Sequence, residues 1–133
     1  MKEPIKGRIT SKFGNRIHPV SKVKSFHNGV DISAEIGTSI RCPWPGTVIK
    51  SDSKHEDTID KGGIEVKVKH NNGYTTGYAH LSKSLVSVGD KVEEGEIIAL
   101  TGNTGIGTGA HLHMTLRNEK DELINPASVF TFK

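Results

Sequence analysis

Ile64-Glu65-Val66-Lys67-Val68-Lys69 alternates apolar and charged residues without a break. A β-strand places successive side chains on opposite faces, so this pattern predicts a strand with one face buried and the other wet. Asn72-Gly73 follows as a turn signal, and Tyr74 to His80 reads as the returning partner strand of a hairpin. On either side lie further short apolar runs set off by glycine. Upstream are Ile9 to Phe13, Gly29 to Ser33, Ile40 to Pro45 and Thr47 to Ser51. Downstream are segments around Val86, Val88 and Val92, then Ile97 to Leu100 and Ala110 to Leu116. Asn125 to Phe130 predicts one short helical turn at the C-terminal end. Residues 15–26, Asp52 to Gly62 and the glycine-rich Gly102 to Gly109 read as surface loops. The expected fold is all-β and antiparallel, sheet-on-sheet or barrel-like.

Composition fits this reading. The chain has 133 residues, enough for one self-sufficient core, and residues 1–133 are expected to form a single domain. Only 33% of residues are hydrophobic and 15 are glycine, which favours a loop-rich β-protein over helices. The net charge of +3 is mild, and no basic stripe is interleaved with aromatics, so nucleic acid is excluded as the expected partner. No run approaches the length of a membrane-spanning helix. Cys42 is the only cysteine, so no internal disulfide can form and the residue reads as packing. The stretch after Met1 has no apolar core, so no signal peptide is expected, and a monomer is expected in solution.

The chemistry is concentrated in histidines. His111 and His113 alternate within an expected strand, so both imidazoles face the same way. His27-Asn28-Gly29-Val30-Asp31 offers an imidazole and a carboxylate, and Tyr78-Ala79-His80-Leu81-Ser82 offers a fourth ring. Together these suit a catalytic zinc site. Four extended residues would span roughly 13 Å, too far for His27 and Asp31 to share an ion. The zinc reading therefore demands a bend at Asn28-Gly29, a pair suited to one. The other histidines promise less. His18 and His55 read as surface or structural, and His70 as an exposed turn position. The glycine-rich run lacks the Gly-Lys-Ser/Thr ending of a phosphate loop and leads into a strand, so that reading is rejected.

Five blocks carry a resemblance. Ser11 to Pro19 and Phe26 to Asp31 resemble the opening of the lysostaphin/LytM-type zinc endopeptidases. Tyr78 to Ser82, Val88 to Val92 and Gly105 to His113 match that family's later blocks in order. The resemblance runs from about Gly7 to Phe130. It implies two antiparallel sheets forming a groove, with one Zn²⁺ per chain held by His27, Asp31 and His113. It further implies catalytic roles for His80 and His111, and bacterial peptidoglycan as the partner. The cut bonds would be glycine cross-bridges or stem-peptide cross-links, so the protein would act on the cell wall, outside the cell, in the periplasm or delivered by phage. Ala110, where the family often has proline, and the charged Asp52 to Gly63 segment depart from the pattern without touching a ligand.

Three ligands leave a tetrahedral zinc one open position, and a histidine must do the proton transfer that a glutamate does in HExxH enzymes, because no such motif exists here. His111 is the favoured base, since its strand neighbour is an implied ligand. Two other readings compete. A non-catalytic wall-binding or regulatory domain on the same fold would be expected to lack some of these five residues. A biotinyl- or lipoyl-type carrier, suggested by Gly46-Thr47-Val48 and Val88 to Gly95, would need a lysine at a hairpin tip between apolar flanks.

Overall fold

The alternating stretch and its partner lie at the middle of the sheet. The computed structural model describes residues 1–17, 24–52, 63–102 and 111–133, with the side chains at 16, 17, 24 and 25 left aside. Within them the strands are β1 (Ile9–Ser11), β2 (Gly14–Ile17), β3 (Lys24–His27), β4 (Val30–Ser33), β5 (Ser39–Arg41), β6 (Gly46–Ser51) and β7 (Ile64–His70). They continue with β8 (Thr75–Ser84), β9 (Lys91–Val92), β10 (Ile97–Thr101), β11 (His111–Arg117) and β12 (Leu123–Ile124). Ten of these form one antiparallel sheet whose main path runs β1-β4-β11-β8-β7-β6-β9. β5 joins through β10, which pairs with β8, and β12 pairs with β11. β2 and β3 form a separate two-stranded sheet. The fold is thus all-β in two antiparallel sheets.

One face of the large sheet supplies the core. Val66 and Val68 point inward from β7, Leu112, Met114 and Leu116 from β11, and Val30 and Ile32 from β4. Tyr78, Leu81, Ile98, Phe130 and Phe132 are among the residues that pack with them. Each such side chain contributes about 1.5–3 kcal/mol by leaving water. Cys42 is fully buried, and its thiol donates to the Trp44 carbonyl at 3.0 Å. Burial pushes that thiol up to about 11, so it stays protonated and unreactive. The expected helical turn is a short 3₁₀ turn, Pro126–Ser128. Asn125 caps it by accepting from the Ala127 N–H, and proline occupies its first position.

Three expectations are corrected. The loop expected over residues 15–26 is bounded by strands, because β2 and β3 pair from Gly14↔His27 to Ile17↔Lys24. Val86 and Val88 lie in no strand. Val86 precedes, and Val88 lies within, a turn in which Gly89 takes φ +94° and the Asp90 carboxylate accepts from the Ser87 N–H at 2.8 Å. His70 is not an exposed turn residue but is buried, at 3% exposure. The alternation that buries Ile64, Val66 and Val68 simply continues one step further. His70 Nδ1–H donates to the Trp44 carbonyl at 2.9 Å, and Nε2 accepts from the Thr76 hydroxyl at 2.8 Å. Tyr78 donates to the same Thr76 oxygen at 2.9 Å. The Trp44 ring packs against His70 edge-on and stacks on Tyr74.

That network is satisfied by neutral His70, and burial lowers its pKa despite backbone acceptors that favour the cation. The unfolded chain takes up a proton near the ordinary histidine value of about 6.5, whereas the folded chain resists it until lower pH. Stability from this residue is therefore complete above the unfolded pKa. It declines as pH falls from there toward the folded pKa. Denaturant unfolding of wild type and His70→Phe should show the acid-side decline shrinking in the variant, whatever its overall stability. Identical pH slopes would contradict this role.

Candidate metal centre

β11 alternates cleanly. Leu112, Met114 and Leu116 are buried, while His111 and His113 project to the other face. β4 lies alongside in a register that pairs His113 with Asp31 and His111 with Ser33. On its other side His113 pairs with Ala79 of β8. The Asp31 carboxylate therefore sits beside both rings. Its Oδ1 is 2.8 Å from His113 Nδ1 and 3.8 Å from His111 Nε2.

His27 reaches the same oxygen from the preceding strand. Its Nε2 is 3.5 Å from Asp31 Oδ1, because the chain bends at Asn28-Gly29 between β3 and β4. A side chain at Gly29 would place its Cβ 2.1 Å from the Met114 carbonyl oxygen, so only glycine lets the bend lie against β11. The roughly 13 Å span of an extended segment is closed in this way.

His80 arrives by an irregularity. Thr76, Tyr78 and Leu81 are buried, a spacing of two and then three. Pairing with β7 shows the same step, since Val66 faces Tyr78 but Ile64 faces Leu81. β8 thus carries one extra residue between Tyr78 and Leu81, a β-bulge of the kind that re-aims a side chain. Strict alternation would send His80 into the core with Tyr78. Instead it takes φ +60°, a conformation costing about 1–3 kcal/mol outside glycine. Its ring centroid lies 5.3 Å from that of His111 and 6.1 Å from that of His113.

The two outer rings are held from behind. His27 Nδ1–H donates to the Lys12 carbonyl at 3.0 Å, with Ser11 Oγ 3.4 Å away. His113 Nε2–H donates to Asn28 Oδ1 at 2.9 Å. With those nitrogens committed, His27 Nε2 and His113 Nδ1 are the atoms that face Asp31: Nδ1–H of protonated His113 donates to the carboxylate, and the same two nitrogens, deprotonated, would hold a metal. The ligand atoms of His27, Asp31 and His113 all lie within 4.8 Å of one another. Their side chains are only 11–21% exposed. Burial alone would raise the Asp31 pKa. The hydrogen bond from His113 and the charges of His113, His27 and His111 outweigh burial and hold it below the ordinary carboxylate value.

Donor atoms around a tetrahedral zinc lie roughly 3.3 Å apart. Two imidazoles and one carboxylate, already gathered and partly sheltered, fit that ion better than Ca²⁺ or Mg²⁺, which prefer oxygen donors. Asn28, Lys12 and Ser11 were not singled out by their sequence. Asn28 read only as a turn former, and a backbone carbonyl carries no sequence signal. Asn28→Ala is expected to weaken zinc binding by about tenfold, measured by competition with a chelator. An unchanged affinity would remove Asn28 from the site. His18, His55 and the loops over 53–62 and 103–109 fall outside the described residues.

Peptidase family M23 matches residues 25–126, and the chain belongs to that family. An uncharacterized metalloprotease of Haemophilus influenzae is 43% identical over 123 residues, covering 92% of this chain and 25% of that protein. The peptidoglycan DD-endopeptidase ShyA of Vibrio cholerae is 43% identical over 112 residues, covering 84% of this chain and 25% of ShyA. Among solved structures, a zinc-containing peptidase from Vibrio cholerae superposes with TM-score 0.80 at 34% identity. It is matched over 92% of this chain and 37% of its own. The catalytic domain of lysostaphin from Staphylococcus simulans gives TM-score 0.75 at 27% identity, over 92% of this chain and 90% of its own. The chain spans a quarter to a third of the curated relatives' length.

Proposed function

We propose that residues 1–133 form a catalytic domain that hydrolyses peptide cross-links of bacterial peptidoglycan with the help of one zinc ion. The observation that carries this reading is Asp31 Oδ1 with His27, His111 and His113 nitrogens at 3.5, 3.8 and 2.8 Å on one sheet face. His27, Asp31 and His113 would hold the metal. When bound, zinc supplies a Lewis acid that polarises a carbonyl and acidifies water.

The protein's own groups do the rest. His111 lies beside the ligand set and is suited to take a proton from water and return it to the leaving amine. His80, paired ring to ring with it, is suited to donate to the oxyanion that develops on the carbonyl. Ala79 next to His113 in the register offers little bulk, which favours a substrate of small residues at the scissile bond.

Peptidase action and glycan cleavage leave different ends. Digestion of purified sacculi should release new free amino groups without new reducing sugar ends. Reducing ends without new amines would overturn the reading. A glycan-cleaving site would call for two carboxylates flanking a cleft, whereas here a single carboxylate is ringed by imidazoles.

A further inference from the structure

The outward face of the sheet continues past the histidines as a row in register: Thr115 on β11, Gly77 on β8 and Lys67 on β7. A methyl group added at Gly77 would lie 2.4 Å from Thr115 Oγ1, and 3.6 and 3.8 Å from Lys67 Cγ and Cε. The lysine stem therefore lies across Gly77, toward β11 and the side of the sheet that carries His113.

Three other cations of this face are engaged. Lys50 pairs with Glu65 at 3.3 Å and Asp52 at 3.9 Å. Lys69 donates to the Gly73 carbonyl, and Arg117 to the Asp121 carbonyl with its carboxylate nearby. Glu65, two residues from Lys67 on the same face, is thus already neutralised by Lys50. Lys67 has no acidic partner or acceptor among the described residues. By sheet spacings Gly77 lies about 8 Å from His113, two to three residues of an extended peptide.

We propose that Lys67 is a specificity-determining residue that binds a free carboxylate carried by the substrate two to three residues from the scissile bond. The domain would thereby favour acidic stem-peptide cross-links over uncharged oligoglycine bridges. This inference rests on the endopeptidase reading above.

The test uses one cross-linked stem-peptide dimer in two forms, with that carboxylate free or converted to a carboxamide. Wild-type kcat/KM should favour the acid by about tenfold, the order of a charge-assisted hydrogen bond. K67M should lose about tenfold on the acid only, abolishing the preference, and K67R should keep it. Equal cleavage of both forms by wild type, or an equal loss on both in K67M, overturns the inference and leaves the endopeptidase reading standing. If wild type cleaves neither form, the endopeptidase reading fails. Calorimetric binding of the same two peptides then decides Lys67 alone, and no preference for the acid overturns it.

Discussion

Replacing His113 with alanine is expected to empty the metal site and abolish turnover. His113 holds the shortest contact to Asp31, at 2.8 Å, and is itself oriented by Asn28. Its loss leaves two candidate ligands, His27 and Asp31, the latter without its principal hydrogen-bond partner. Elemental analysis should show about one zinc per chain in the wild type and a small fraction of that in the variant. Activity should fall by about 10³-fold or more, the order of several kcal/mol of transition-state stabilisation that a metal supplies. Wild type stripped by a chelator should lose activity equally and regain it with zinc. Full activity in rigorously zinc-free protein would sink the metal assignment.

His80→Ala and His111→Ala should behave differently. Both are expected to keep zinc and to lose turnover by about 10²–10³-fold, as proton transfer or oxyanion stabilisation is removed. Because the two rings lie 5.3 Å apart and would serve one transition state, the double variant should be little worse than either single one. Zinc content measured beside kcat separates these outcomes. If His80→Ala emptied the site while Asp31→Ala did not, the division between ligands and catalysts would have to be redrawn.

Much of this arrangement is legible from period-two patterns. Ile64 to Lys69 and His111 to Leu116 each announce which residues face the core, and hence which face carries the imidazoles. The bend at Asn28-Gly29 follows from a geometric demand, and Gly29 proves to be pressed against β11. What escapes notice depends on pairing rather than composition. The polar segment around Asn15 and Phe26 pairs as a hairpin although no apolar alternation marks it. His70 is hidden by its neighbours, since Asn71-Asn72-Gly73 suggests exposure while the strand's own rhythm points inward. Asn28 as a support for His113 needs a contact between residues 85 apart in sequence.

The extra residue in β8 has a consequence for how this chain can change over time. Deleting the single codon for His80 would leave Thr76, Tyr78 and Leu81 at uniform two-residue spacing, all facing the core. The left-handed backbone at that position would disappear with it. The shortened strand would be the more regular one, relieved of about 1–3 kcal/mol of strain. A selection that rewards only folding or yield would therefore favour a chain that has shed a ring from the proposed reaction centre. Only a screen that counts bonds broken would hold the longer strand in place.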